Sequence, residues 1–142
     1  MDLQTDSLKR CIDTLDASVA MLLKAQPESI EREVLRNAVI KGFELTLETS
    51  GKLLRRALKE YAGSPRAVDE LAFKDLFREG LKRGFVKDAE TVRRWFAYWE
   101  NRNSTAHDYG LKFAEETLKL IPPFLDDAKI LERDLRRGST GA

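Results

Sequence analysis

A chain of 142 residues, 42% of them hydrophobic, is long enough for one ordinary domain with a real core and no help from disulfides or metals. Its 25 Lys and Arg against 24 Asp and Glu leave a formal charge of +1, which excludes a whole-surface basic field; any nucleic acid must be held by a local cluster of cations. The single cysteine, Cys11, excludes an intrachain disulfide, and with one histidine in the chain no Cys/His metal site is expected within one subunit. No secretory leader and no apolar run near about 20 residues is present, so the expectation is a soluble, cytoplasmic protein that uses no metal or other cofactor and no membrane.

From Leu8, apolar residues at Cys11, Ile12, Leu15, Val19, Leu22 and Leu23 keep a three-and-four spacing and predict a first amphipathic helix from about Leu3 to Ala25. Pro27 interrupts the pattern. Ser29 offers an N-cap oxygen to a long second helix reaching about Tyr61, with Ile30, Val34, Ala38, Phe43, Leu47, Leu54 and Leu58 as its apolar positions. Gly51 in its interior predicts close helix contact or a slight bend. Gly63-Ser64-Pro65 is the clearest turn signal, and a short helical pattern follows from about Val68 to Arg83, ended by Gly84.

Asp88 is the expected N-cap of the next helix, on which Thr91, Val92, Trp95, Phe96 and Trp99 recur on one side up to Arg102. The final helix runs from near Leu111 to about Arg136, turning Phe113, Leu118, Ile121, Phe124, Leu125, Ala128, Leu131 and Leu135 inward, with Pro122-Pro123 kinking or dividing it. No segment has a period of two bounded by hairpin turns. The fold class is therefore all-α, an antiparallel bundle of about five helices in a single domain over 1–137, with a flexible tail over 138–142.

The segment Arg102-Asn103-Ser104-Thr105-Ala106-His107-Asp108-Tyr109 gathers a fixed cation, an amide, an imidazole and a phenol. On an unbroken helix, at about 100° per residue, Arg102 and His107 stand roughly 140° apart. Asn103, Ser104 and Thr105 are cap and turn formers, and Gly110 follows, so the helix is expected to end here and let both side chains reach one place. Arginine stays charged and grips phosphate through two N–H groups, whereas histidine exchanges a proton near neutrality; together they suit metal-free phosphodiester cleavage. Acid and base catalysis together want two proton-transfer groups, and the chain has one histidine. A composite site across a two-fold homodimer supplies the second. The plainer reading is a histidine that caps carbonyls or fills space at an ordinary helix end.

Other candidates have simpler accounts. Cys11 is in register with Leu8 and Leu15 and reads as a core thiol; Trp95 and Trp99 match the helix stripe and read as core rather than base-stacking platforms. Glu44 and Glu48 share a helix face with Lys52 one turn on, which reads as a salt-linked face. Lys82, Arg83, Arg93 and Arg94 lie near the motif and are candidates for holding RNA, against the background that exposed helices are usually this charged.

The octet from Arg102 to Tyr109 resembles the R-X4-H-X-Y motif of HEPN proteins, and Phe43-Glu44 with Glu48 and Lys52, together with the helix order, extends the resemblance over most of the chain. It is similar to the toxin of HEPN/MNT toxin–antitoxin pairs, a group also described as nucleotidyltransferase substrate-binding proteins. The resemblance implies a metal-independent endoribonuclease acting on mRNA or tRNA, with Arg102 and His107 catalytic across a dimer, and Asn103 and Asp108 supporting the motif. It also implies a cognate minimal nucleotidyltransferase as antitoxin, transferring AMP from ATP to Tyr109, and makes Glu44, Glu48 and Lys52 interface or active-site support. Lys41-Gly42 and Thr49-Ser50-Gly51 depart from that pattern in lacking larger side chains. The alternatives are a non-catalytic accessory subunit of a split nucleotidyltransferase, and a purely structural helical dimer.

Overall fold

A computed structural model describes residues 4–104 and 111–138. Six helices occur among the described residues and no strand: α1 (Asp6–Lys24), α2 (Ile30–Lys59), α3 (Pro65–Asp69), α4 (Phe73–Lys82), α5 (Ala89–Ser104) and α6 (Leu111–Arg137). The long α2 is the centre of the bundle, packed against all five of the others. The predicted 138–142 tail falls outside the description beyond Gly138.

Local chemistry sets most helix ends. Ser29 accepts from Arg32 N at 3.0 Å and starts α2, while the Arg32 guanidinium reaches back to the last carbonyls of α1, Leu22 at 3.3 Å and Ala25 at 3.4 Å. This turn carries Glu28 at φ 65°, a left-handed conformation that costs a residue with a Cβ. Asp88 accepts from both the backbone N–H (2.8 Å) and the hydroxyl (2.7 Å) of Thr91, which caps α5 as expected. The pattern read as one helix over 68–83 is two: Arg55 of α2 donates to the carbonyls of Val68, Asp69 and Leu71 at 2.7, 3.1 and 3.0 Å, ending α3 before α4 begins.

The core is an apolar cluster joining Leu8, Ile12 and Leu15 of α1, Phe43, Leu47 and Leu54 of α2, Phe77 of α4, Trp95 and Tyr98 of α5, and Phe124 of α6. Phe43, Trp95 and Tyr98 meet the Phe124 ring edge-on at centroid distances of 4.8, 5.7 and 5.0 Å. Two glycines of α2 let its neighbours come close, the contact expected at Gly51. A Cβ at Gly42 would meet Leu15 Cδ1 at 3.1 Å, and one at Gly51 would meet Phe73 Cε2 at 3.1 Å.

One expectation is corrected and another narrowed. Ile30 and Val34 are 80% and 59% exposed rather than core, because Val39, Phe43, Leu47 and Leu54 form the inward face of α2 and the earlier residues lie on its outward one. The outward line continues through Ala38, Lys41, Leu45, Glu48 and Lys52 at alternating four- and three-residue spacing. Pro122 and Pro123 sit inside α6 without dividing it, and both are exposed, which leaves a kink as the remaining expectation.

Candidate active site

Arg102 lies in the last turn of α5, where its guanidinium is held from two directions. It donates through NH2 to Glu48 Oε1 of α2, and its Cζ stands 5.3 Å from the centroid of the Trp99 ring, one turn earlier on α5. Trp99 is itself backed by Phe73, stacked on it at 4.3 Å with 5° between the planes. The neighbouring Asn101 donates to Thr117 Oγ1 of α6 at 2.9 Å, so the helices on either side of the motif are tied together just outside it. The motif residue Asn103 is exposed. His107, Asp108 and Tyr109 lie outside the described residues.

Glu48 and Arg102 are thus brought together from positions 54 residues apart, and the ion pair expected between Glu48 and Lys52 gives way to this one. The partners' side chains are 29% (Arg102) and 38% (Glu48) exposed, so the pair sits at the surface of the bundle rather than in its core. Lys52 and Arg55 follow on α2 and, with Glu48, rim a trough of about 300 Å³ whose apolar walls are Leu71, Phe73, Leu76 and Trp99. Glu44 is elsewhere: it lines a separate groove of about 220 Å³ with Asn37, Ile40, Lys41 and Phe113. No cluster of His, Cys, Asp and Glu among the described residues has metal-binding geometry, and no described helix is long and apolar enough to cross a membrane.

What holds α5 in place was not legible in the sequence. Buried Asp127 of α6 accepts from Arg94 Nε and NH2, each at 2.9 Å, and from the Tyr98 hydroxyl at 2.5 Å. Burial, with the Asp127 bond added to it, pushes the Tyr98 phenol far above its usual range, so it stays protonated and donates to Asp127. Arg94 thus ties α5 to α6, and Lys82 pairs with Glu79 one turn earlier on α4. Trp95 is 1% exposed, as expected of a core residue, while Cys11 is half-buried with its sulfur 3.8 Å from Thr49 Oγ1.

The fold and site define a small helical domain with an ion-paired, part-exposed arginine in the last turn of α5. The family described as nucleotidyltransferase substrate binding protein like matches residues 5–137, and the chain belongs to that family. It is 32% identical over 109 residues to a Haemophilus influenzae protein named "Probable ribonuclease HepT", covering 77% of this chain and 73% of that one. The solved structure of HI0074 from Haemophilus influenzae, described as the fold of a substrate binding domain of a nucleotidyltransferase, superposes with a TM-score of 0.83. That match has 29% identity and covers 94% of this chain and 99% of the other.

Proposed function

We propose that this protein is a HEPN-type toxin, a metal-independent endoribonuclease of the cytoplasm whose active site is completed by a second copy of the chain. The observation that carries the reading is Arg102, held near the end of α5 by Glu48 and over the Trp99 ring, five residues before the His107-Asp108-Tyr109 end of the motif. The relation to a protein named as a ribonuclease supports it.

In this reading Arg102 binds the scissile phosphate of mRNA or tRNA. His107 of one subunit takes the proton from the ribose 2′-hydroxyl, the 2′-oxygen attacks phosphorus, and the bond to the 5′-oxygen breaks. The partner subunit's His107 protonates that leaving oxygen, giving a 2′,3′-cyclic phosphate and a 5′-hydroxyl. Arg102 counters the charge that builds on the phosphoryl oxygens. The outward line of α2, apolar at Ile30, Val34, Ala38 and Leu45 and leading on to Glu48 and Lys52, supports the homodimer: two copies packed along it share one cleft containing both arginines.

A cognate minimal nucleotidyltransferase neutralises the toxin. The Tyr109 hydroxyl attacks the α-phosphorus of ATP, pyrophosphate leaves, and the attached AMP sets negative charge and bulk where the RNA phosphate binds. Asn103 and Asp108 support the turn, while Glu44 and Lys52 serve the interface or the substrate. Digestion of cellular RNA by the wild type and by His107→Ala tests the proposal: the wild type cleaves and the variant does not, and equal cleavage by both sinks it. Mass measurement after incubation with the partner enzyme and ATP tests Tyr109, since AMP on Tyr109→Phe contradicts the assignment.

A second reading, favoured by the family description and by that of the solved neighbour, makes the chain a non-catalytic subunit that presents substrate to a separate nucleotidyltransferase. It predicts no RNA cleavage by the wild type.

A further inference from the structure

We propose that the trough between α2, α4 and α5 is a nucleobase pocket that seats one unpaired base of the strand whose phosphate lies at Arg102. The proposal deepens the ribonuclease reading and rests on it for the identity of the strand. Its volume, about 300 Å³, is at the lower end of small-ligand sites, a size for one flat heterocycle rather than for a helix or a folded peptide.

The trough and the arginine share two of their walls. Glu48 lines the trough and accepts the bond from Arg102; Trp99 lines the trough and lies under the Arg102 guanidinium. A group lodged in the trough is therefore one residue's reach from an anion on Arg102, the relation of a base to its own phosphate. Phe73, stacked on Trp99 and pressed against Gly51, makes a stiff apolar wall, with Leu71 and Leu76 completing it. The rim is polar and cationic, with Lys52 and Arg55 against the one carboxylate of Glu48, whose partner Arg102 lies just beyond it, which suits a phosphodiester. Arg55 is fixed there by its bonds to three backbone carbonyls. An apolar slot with a charged mouth beside an arginine fits a nucleotide better than it fits an aliphatic side chain of a protein.

Ala72 provides the test. It is exposed, makes no side-chain capping bond and lines the trough, so Ala72→Leu fills the space while leaving Arg102 and Glu48 alone. The full-length chain is titrated with each of the four ribonucleoside 5′-monophosphates while the two tryptophan indole N–H resonances are followed by NMR. Binding is expected to move Trp99 and leave buried Trp95 in place, and in Ala72→Leu to weaken by about tenfold or more. RNA cleavage by Ala72→Leu is expected to fall by a similar factor, carried mainly by KM. No movement of Trp99 with any nucleotide in the folded chain overturns the pocket, as does wild-type affinity in Ala72→Leu. Cleavage unchanged in Ala72→Leu with Trp99 unmoved removes the pocket and leaves the ribonuclease standing. Trp99 movement lost in Ala72→Leu, in a protein that cuts no RNA, upholds the pocket and removes the ribonuclease.

Discussion

Replacing Asp127 by Ala tests the clamp that sets α5, and with it Arg102, against the rest of the bundle. The carboxylate is 4% exposed and takes two bonds from Arg94 and one from Tyr98. Truncation strands the Tyr98 hydroxyl, 1% exposed, without its acceptor, at a cost of about 1–3 kcal/mol. The Arg94 side chain is 37% exposed, so water takes over much of what it loses, and its share is about 1 kcal/mol. The expected total is about 3 kcal/mol, or roughly 10 °C in melting temperature for a chain of this size. Tyr98→Phe removes the donor together with the stranded group and costs about 1 kcal/mol, so the double variant loses less than the two single losses added. Urea unfolding followed by circular dichroism and by tryptophan fluorescence measures both quantities. An Asp127→Ala loss below about 1 kcal/mol, or strict additivity in the double variant, refutes the clamp.

Glu48→Gln is expected to change stability by less than about 1 kcal/mol, because both partners of its ion pair are part-exposed, yet to lower RNA cleavage by about tenfold or more, since Arg102 loses its orientation. Wild-type kcat in that variant removes the positioning role of Glu48. Acid weakens the fold through two carboxyl groups. The Thr91 bonds hold Asp88 below its usual range; burial pushes Glu132 up, but its bonds from Arg136 and Thr5 outweigh that and leave it lowered. Their contribution is complete above the ordinary carboxylate pKa of about 4 and is lost as pH falls through the lower folded values, so the melting temperature should drop below pH 4 and drop less in Thr5→Ala. An acid drop of equal size in Thr5→Ala speaks against Glu132. Glu28→Gly relieves the φ 65° strain and should raise the melting temperature by about 2 °C, read by calorimetry; a fall shows that the turn relies on the Glu28 side chain.

Helix positions were readable because their causes are local. Ser29 and Asp88 cap with their own side chains residues three further on, and the stripes of α1, α5 and α6 recur within a few residues. The break between α3 and α4 was not readable, since Arg55 makes it from another helix. Nor was the face of α2 that turns inward: the helix carries apolar residues on two lines, and periodicity does not say which one a neighbour will cover. The candidate site divides the same way. Sequence alone picked out Arg102 and offered Glu48 the nearest cation on its own helix, Lys52. Packing of α5 on α2 chose Arg102 as the partner instead, placed Trp99 beneath it and opened the trough alongside. Helical period and capping act across three or four residues and are written in the chain, whereas an ion pair 54 residues apart and a buried aspartate holding Arg94 and Tyr98 exist only once the helices have packed.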